Sequence, residues 1–251
     1  MLAKVLAHLP GVASLHEPQP WMNTEAYLAW AGKRDSEWLQ ERLAHKRDGL
    51  IRQRSSGGLL YVESSHFLSH LIPELSERYG ARFIHLYRDG RDFTRSGLER
   101  GWYRSKGFRE WMKTHIRRRV AVDVGFSWVD HRLDPPSRLE SRLEKIAWLW
   151  AEINQVILRD LAGVPDSDQE RVRLEDFGQE TIERLAAFLG LQADQRLLRH
   201  MLTVADRRPN RTVAFEAPSP RAWSEVEKER FSSVAGPMQE RLGYSAPCHA
   251  A

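Results

Sequence analysis

Leu2, Val5, Leu6 and Leu9 recur at helical spacing, so the first nine residues predict an amphipathic helix that Pro10-Gly11 ends. Val12 to Leu15 then reads as a short strand running into His16-Glu17-Pro18. Residues 21–51 have a helical look, with Tyr27, Trp30, Trp38, Leu39 and Leu43 as anchors. After the turn at Ser55-Ser56-Gly57-Gly58, Leu59-Leu60-Tyr61-Val62 is a brief apolar run, as in a buried parallel strand. It delivers Glu63-Ser64-Ser65-His66 to its carboxyl end, and Ile72-Pro73 opens a helix with proline in the first turn. Phe83, Ile84, Leu86 and Tyr87 form the third run, ending in Arg88-Asp89-Gly90-Arg91-Asp92. Beyond the break at Asp134-Pro135-Pro136 comes the clearest helix, with Leu139, Leu143, Ile146, Trp150, Ile153, Ile157 and Leu161 on one stripe. Residues 171–177 predict a last strand end, followed by a helix over 181–189. The pattern is that of an α/β protein.

Composition narrows the class. A chain of 251 residues makes one large α/β domain or two small ones, with ample core. Mean hydropathy of −0.55 describes a globular protein. No apolar stretch approaches the roughly 18–20 residues of a membrane span, and the N-terminus has no signal peptide's apolar region. The single cysteine, Cys248, excludes an internal disulfide, so a reducing, cytoplasmic setting and no membrane partner are expected. The net charge of +4 suits an anionic cofactor or acceptor.

Chemistry concentrates where the strands end. In open α/β sheets ligands sit beyond the carboxyl ends of the strands. Arg88 stands at such an end, and Ser96 follows eight residues later. An arginine fork with a hydroxyl suits a phosphate, because both donate to its oxygens and the arginine stays charged. Alternatively, Arg88 pairs with Asp89 or Asp92. The stretch 100–119 interleaves basic residues with Trp102, Tyr103, Phe108 and Trp111. That pattern fits nucleic acid, a platform for an anionic or sugar acceptor, or a solvated face with aromatic anchors. No nucleic-acid motif accompanies it, so no nucleic-acid partner is expected. His8, His16, His70 and His85 lack metal-ligand spacing, so no metal is expected.

The strand FIHLYR with arginine and serine after it resembles the 3′-phosphate-binding segment of sulfotransferases that use 3′-phosphoadenosine 5′-phosphosulfate, in the "RDGRD…S" form of bacterial members. LAKVLAHLPGVASLHEP is similar to the family's first helix and second strand, AWLWAEIN to its long helix, and RVRLEDF to its last strand end, with leucine (Leu174) where the family has tyrosine. Trp223 and the closing Leu242-Gly243-Tyr244 match many bacterial members. The resemblance spans nearly the whole chain as a single domain. It implies a three-layer fold like that of the P-loop nucleotide hydrolases, a mostly parallel central sheet flanked by helices. In the family a first strand and a Lys/Arg-Ser/Thr-Gly-Thr-Thr loop precede this first helix and hold the 5′-phosphosulfate. Both are missing before Met1, and a truncated start is the expectation.

The resemblance further implies transfer of a sulfuryl group from 3′-phosphoadenosine 5′-phosphosulfate to a hydroxyl or amine of a small-molecule or glycan acceptor. Arg88 and Ser96 take the 3′-phosphate, assisted by Arg207, Arg208 and Arg211. Two residues compete for the role of base, His66 at one strand end and Glu17 at another. Glu63 follows the pattern of glycan-modifying members, whereas Ser64 replaces the lysine found there. Residues 21–56 and 100–136 are expected to cover the acceptor side. The alternative is a nucleotide-binding or structural relative without transferase activity.

Overall fold

The computed structural model describes residues 1–104, 107–124, 132–206 and 214–244. In chain order, helix α1 (Leu2–Leu6) leads into strand β1 (Val12–His16). Helices α2 (Asn23–Trp30), α3 (Ser36–Leu43) and α4 (Gly49–Arg54) follow, with a π-helical turn at Ala44–Asp48 between the last two. Strand β2 (Leu60–Ser64), a 3₁₀ turn at His66–His70 and helix α5 (Ile72–Tyr79) lead to β3 (Phe83–Tyr87) and α6 (Gly90–Glu99). Helices α7 (Gly107–Val124) and α8 (Arg142–Leu161) precede β4 (Gln169–Arg173), after which come α9 (Gln179–Phe188), α10 (Gln195–Asp206) and α11 (Glu225–Arg241).

Local chemistry explains the boundaries. Both α8 and α11 open with a complete capping box, Ser141 with Glu144 and Ser224 with Glu227. Pro73 stands in the first turn of α5, and Gly80 ends that helix in the left-handed region at φ 54°.

The strands pair in parallel, β1 with β2 and β3 with β4. One continuous central sheet was expected; the structure instead has two separate two-stranded sheets. Among the described residues no ladder joins one pair to the other, so every strand keeps one unpaired edge. The strands are also mostly half-buried rather than buried. Parallel sheets normally require cover on both faces.

One core nevertheless serves both pairs. Leu2, Val5, Leu6 and Leu9 pack with Val172 of β4, with Ile182 and Leu185 of α9 and with Leu198 and Met201 of α10. Val12, Val62, Ile84 and Leu86, from the other three strands, border the same cluster. Full burial of each such aliphatic side chain contributes about 1.5–3 kcal/mol, so α1 is a principal tie between the two pairs. A second core joins Leu143, Ala147 and Trp150 of α8 to Phe231, Ala235 and Met238 of α11, with Trp223 and Tyr244 beside them.

Candidate functional site

The two strand pairs present different chemistry at their carboxyl ends. At the β1–β2 end, the chain leaves β1 through Glu17, whose φ of 45° lies in the left-handed region. Its amide donates to the Ser64 carbonyl at 3.0 Å, and His16 Nδ1 lies 2.9 Å from that same oxygen. This turn aims the Glu17 carboxylate across the end of β2, where Oε1 meets His66 Nδ1 at 2.6 Å. The two rival base candidates are thus one pair. Ser65 caps the 3₁₀ turn, its hydroxyl accepting from the Phe67 amide at 3.2 Å, so His66 is not needed for that task. The His66 side chain is 42% exposed and that of Glu17 29%, so both can meet a ligand from solvent.

Beside His66 lies a narrow pocket lined by Asn23, Tyr27, Phe67, His70, Leu133 and Ile153, with room for about one water. His70 is nine-tenths buried, and burial pushes its pKa down to about 4, with the charges of His66 and Arg159 adding to the effect.

Behind this end runs a buried charge network. Arg47, 2% exposed, donates from Nε and Nη2 to the two Glu63 carboxylate oxygens at 2.9 and 3.0 Å. Tyr61 donates its hydroxyl to Glu63 at 2.7 Å, and Arg47 also reaches the Pro20 carbonyl. Glu25, fully buried, receives Arg42 at 3.0 Å and Lys46 at 2.8 Å. The network pins the segment 21–56 onto β2. Nothing in the spacing of Glu25, Arg42, Lys46, Arg47 and Glu63 along the chain announces these pairs. Glu63 is therefore held within the fold rather than presented at the strand end.

At the β3–β4 end, Arg88 is followed by Asp89, the N-cap of α6, which accepts from the Arg91 amide at 2.8 Å. Other elements grip this turn from several sides. Trp150 Nε1 donates to the Arg88 carbonyl at 3.1 Å. Gln239 accepts from the Gly90 amide at 3.1 Å and donates to Asp89 at 2.9 Å. Gly90 is required here: a Cβ would stand 2.8 Å from the Trp150 ring. Glu175 accepts from the Asp89 amide at 2.8 Å and from the Tyr244 hydroxyl at 2.9 Å. Glu175 thus ties the start of α6 to Tyr244 rather than to the helix that follows it. Its neighbour Asp176 meets α9 through the backbone, its carbonyl accepting from the Thr181 hydroxyl at 2.8 Å.

Asp89 forms its ion pair with Arg91, not Arg88. The Arg88 guanidinium lies 5.4 Å from the centre of the Phe93 ring, and among the described residues no carboxylate lies within ion-pair distance of it. Burial lowers its pKa from arginine's ordinary value, Asp92 opposes that change, and Arg100 reinforces it. Ser96 is the seventh residue of α6, one turn beyond Phe93 on the same face. Arg207, Arg208 and Arg211 lie outside the described residues.

Among the described residues, no three His, Cys, Asp or Glu side chains converge as a metal site would need, and no helix is long and apolar enough to cross a membrane.

No protein-family model matches the chain, and no curated protein matches it. One solved structure, a sulfotransferase domain from the curacin biosynthetic pathway, is similar over 98% of this chain and 93% of its own, with a TM-score of 0.48 and 14% sequence identity.

Proposed function

We propose that the chain is a sulfotransferase of the kind that uses 3′-phosphoadenosine 5′-phosphosulfate and sulfates a hydroxyl or amine of a small-molecule or glycan acceptor. The observation that carries this reading is the chemistry at the two strand ends: a half-buried arginine over Phe93 without a carboxylate partner among the described residues at one, and a carboxylate–imidazole pair at the other. Arg88 and Ser96 would hold the 3′-phosphate by charge-assisted hydrogen bonds. The donor supplies the sulfuryl group and, as the S–O bond to its phosphate breaks, an anionic leaving group.

The pair at the other end handles the proton. With Nδ1–H donated to Glu17, His66 keeps Nε2 as its basic nitrogen and accepts the acceptor's proton as the new S–O bond forms. Glu17 orients the ring and stabilises the imidazolium that results, so the two residues act as base and positioning partner. Arginine and carboxylate–imidazole together supply positioning and electrostatics, which carry most of the barrier lowering in the analogous phosphoryl transfer.

The test has two arms. Adenosine 3′,5′-bisphosphate should raise the melting temperature of the 251-residue chain by several degrees more than adenosine 5′-monophosphate does at equal concentration. In a chain extended at its N-terminus by the family's strand and loop, His66→Ala should lower turnover by roughly 10²–10⁴. Glu17→Gln should lower it less. An unchanged rate in both variants removes the assignment of the pair. Serine at position 64, in place of the family's lysine, favours one second reading, a nucleotide-binding relative that transfers nothing. Bisphosphate binding without turnover in the extended chain would establish it.

A further inference from the structure

We propose that Arg100 is a second cation of the phosphate site at Arg88 and Ser96, so that a phosphate dianion bound there is gripped from both ends of α6. The inference rests on the nucleotide-binding part of the proposed function and adds a residue to it. Phe93, Ser96 and Arg100 stand at i, i+3 and i+7, which places them on one helix face. Arg88 approaches this face from the N-terminal side, its guanidinium over Phe93. Arg100 approaches from the C-terminal side, because helical side chains lean toward the N-terminus and i+4 neighbours are adjacent. Along that face Ser96 stands between Phe93 and Arg100.

The aromatic floor is continuous. Phe93 and Trp102 meet edge to face with centroids 5.5 Å apart, and the Arg100 guanidinium stands 5.8 Å from the Trp102 centroid. Gly97 makes the close approach possible, since a Cβ there would fall 2.8 Å from the Trp102 ring. The neighbouring charges are otherwise engaged: Arg91 is taken by Asp89, Arg95 by Glu99, and Arg142 by the Trp102 and Leu98 carbonyls. Glu175 is occupied by Asp89 and Tyr244, and Asp92 bears on Arg88 without an ion-pair contact. Among the described residues neither Arg88 nor Arg100 has a carboxylate within ion-pair distance. Two guanidiniums felt by one another across a hydroxyl-bearing face repel until an anion lies between them. A phosphate monoester, with two charges and three acceptor oxygens, fits that need better than a carboxylate does.

The experiment titrates the 251-residue chain with adenosine 3′,5′-bisphosphate and with inorganic phosphate, by calorimetry, in the natural sequence and in Arg100→Ala, Arg100→Lys, Arg88→Ala and Asp92→Asn. Arg100→Ala should weaken the bisphosphate by about 10- to 100-fold, the worth of one charge-assisted contact. Its unliganded melting temperature should stay within about 2 °C, as for a surface substitution. Arg100→Lys should restore most of the affinity, and Asp92→Asn should tighten binding. Affinity unchanged in Arg100→Ala, with a loss in Arg88→Ala, overturns the role of Arg100 and leaves the nucleotide site standing. Phosphate binding that depends on both arginines, without any preference for the bisphosphate, keeps the two-arginine site and overturns the nucleotide reading. No binding of either probe overturns both.

Discussion

The two strand pairs solve the problem of charge at a strand end in opposite ways. Around β1–β2 the charges are matched from within: Glu17 with His66, Arg47 with Glu63, Glu25 with Arg42 and Lys46. Around β3–β4 the matching stops short of Arg88, since Asp89 goes to Arg91 and Glu175 to Asp89 and Tyr244. The charges named at the first end are paired as folded, whereas at the second Arg88 has no carboxylate within ion-pair distance among the described residues. A ligand should therefore change the stability of the β3–β4 end, whereas mutation should do most damage at the β1–β2 end.

The largest expected effect tests that contrast directly. Arg47→Leu leaves Glu63 buried without its cationic partner, and breaking a buried pair in this way costs about 3–5 kcal/mol. Arg88→Ala removes a cation with no carboxylate to orphan and should cost much less in the absence of ligand. Chemical denaturation of both variants reads the difference. Equal losses would mean that Arg88 is as firmly tied into the fold as Arg47, and the contrast between the two ends would collapse. Replacing both members, Arg47→Met with Glu63→Gln, should recover much of the loss.

Acid should act on both ends through buried histidines. His85, on β3, has Nε2 2.9 Å from Asn154 Oδ1, and burial pushes its pKa down to about 4 despite that bond. His70 is displaced to the same value, also by burial first. Both are neutral when folded, whereas the unfolded chain takes up protons near pH 6.5. Their contribution is therefore complete above about pH 6.5 and declines as pH falls toward 4, by roughly 2–3 kcal/mol per histidine. Urea melts between pH 7.5 and 4.5 should show this slope, and His85→Gln should flatten it by about half. A slope unaltered in that variant would assign the acid sensitivity to other groups.

How much of this was legible in the chain depended on whether a contact is local. Phe83–Tyr87 was bounded correctly because an apolar run flanked by charge needs no partner to be recognised. The stripe from Leu143 to Leu161 appears as α8, with Leu139 buried just before its capping box. Arg88, Glu17 and His66 stand out in the sequence because strand ends mark where ligands sit, but the contact between Glu17 and His66 does not. Only the backbone turn at Glu17 brings residues 17 and 66 within hydrogen-bond distance. The Arg47–Glu63 pair and the grip of Gln239 on Gly90 were out of reach for the same reason. Each joins elements distant in sequence, and each side chain alone resembles an ordinary surface residue. The division of the sheet into two pairs was likewise invisible, since hydrophobic runs report strands but not which edges meet.

The smallest expected effect concerns the turn that builds the pair at the β1–β2 end. At φ 45° Glu17 occupies a region that side chains with a Cβ adopt at a cost of about 1–2 kcal/mol. Alanine in its place keeps the strain and deletes the carboxylate, whereas glycine deletes both. Loss of the half-exposed pair itself is worth about 0.2–1 kcal/mol and is common to the two variants. Glycine also adds freedom to the unfolded chain, which costs about 0.5–1 kcal/mol at ordinary positions. The strain term is the larger, so Glu17→Gly should equal or exceed Glu17→Ala in stability by up to about 1 kcal/mol, reversing the usual order. That reversal would show that the carboxylate is held against His66 at the expense of the backbone, as expected of a positioning residue and not of a surface ion pair. Glu17→Gly less stable than Glu17→Ala in paired urea melts would show that the turn carries no strain, and the Glu17–His66 contact would then be an ordinary consequence of the fold.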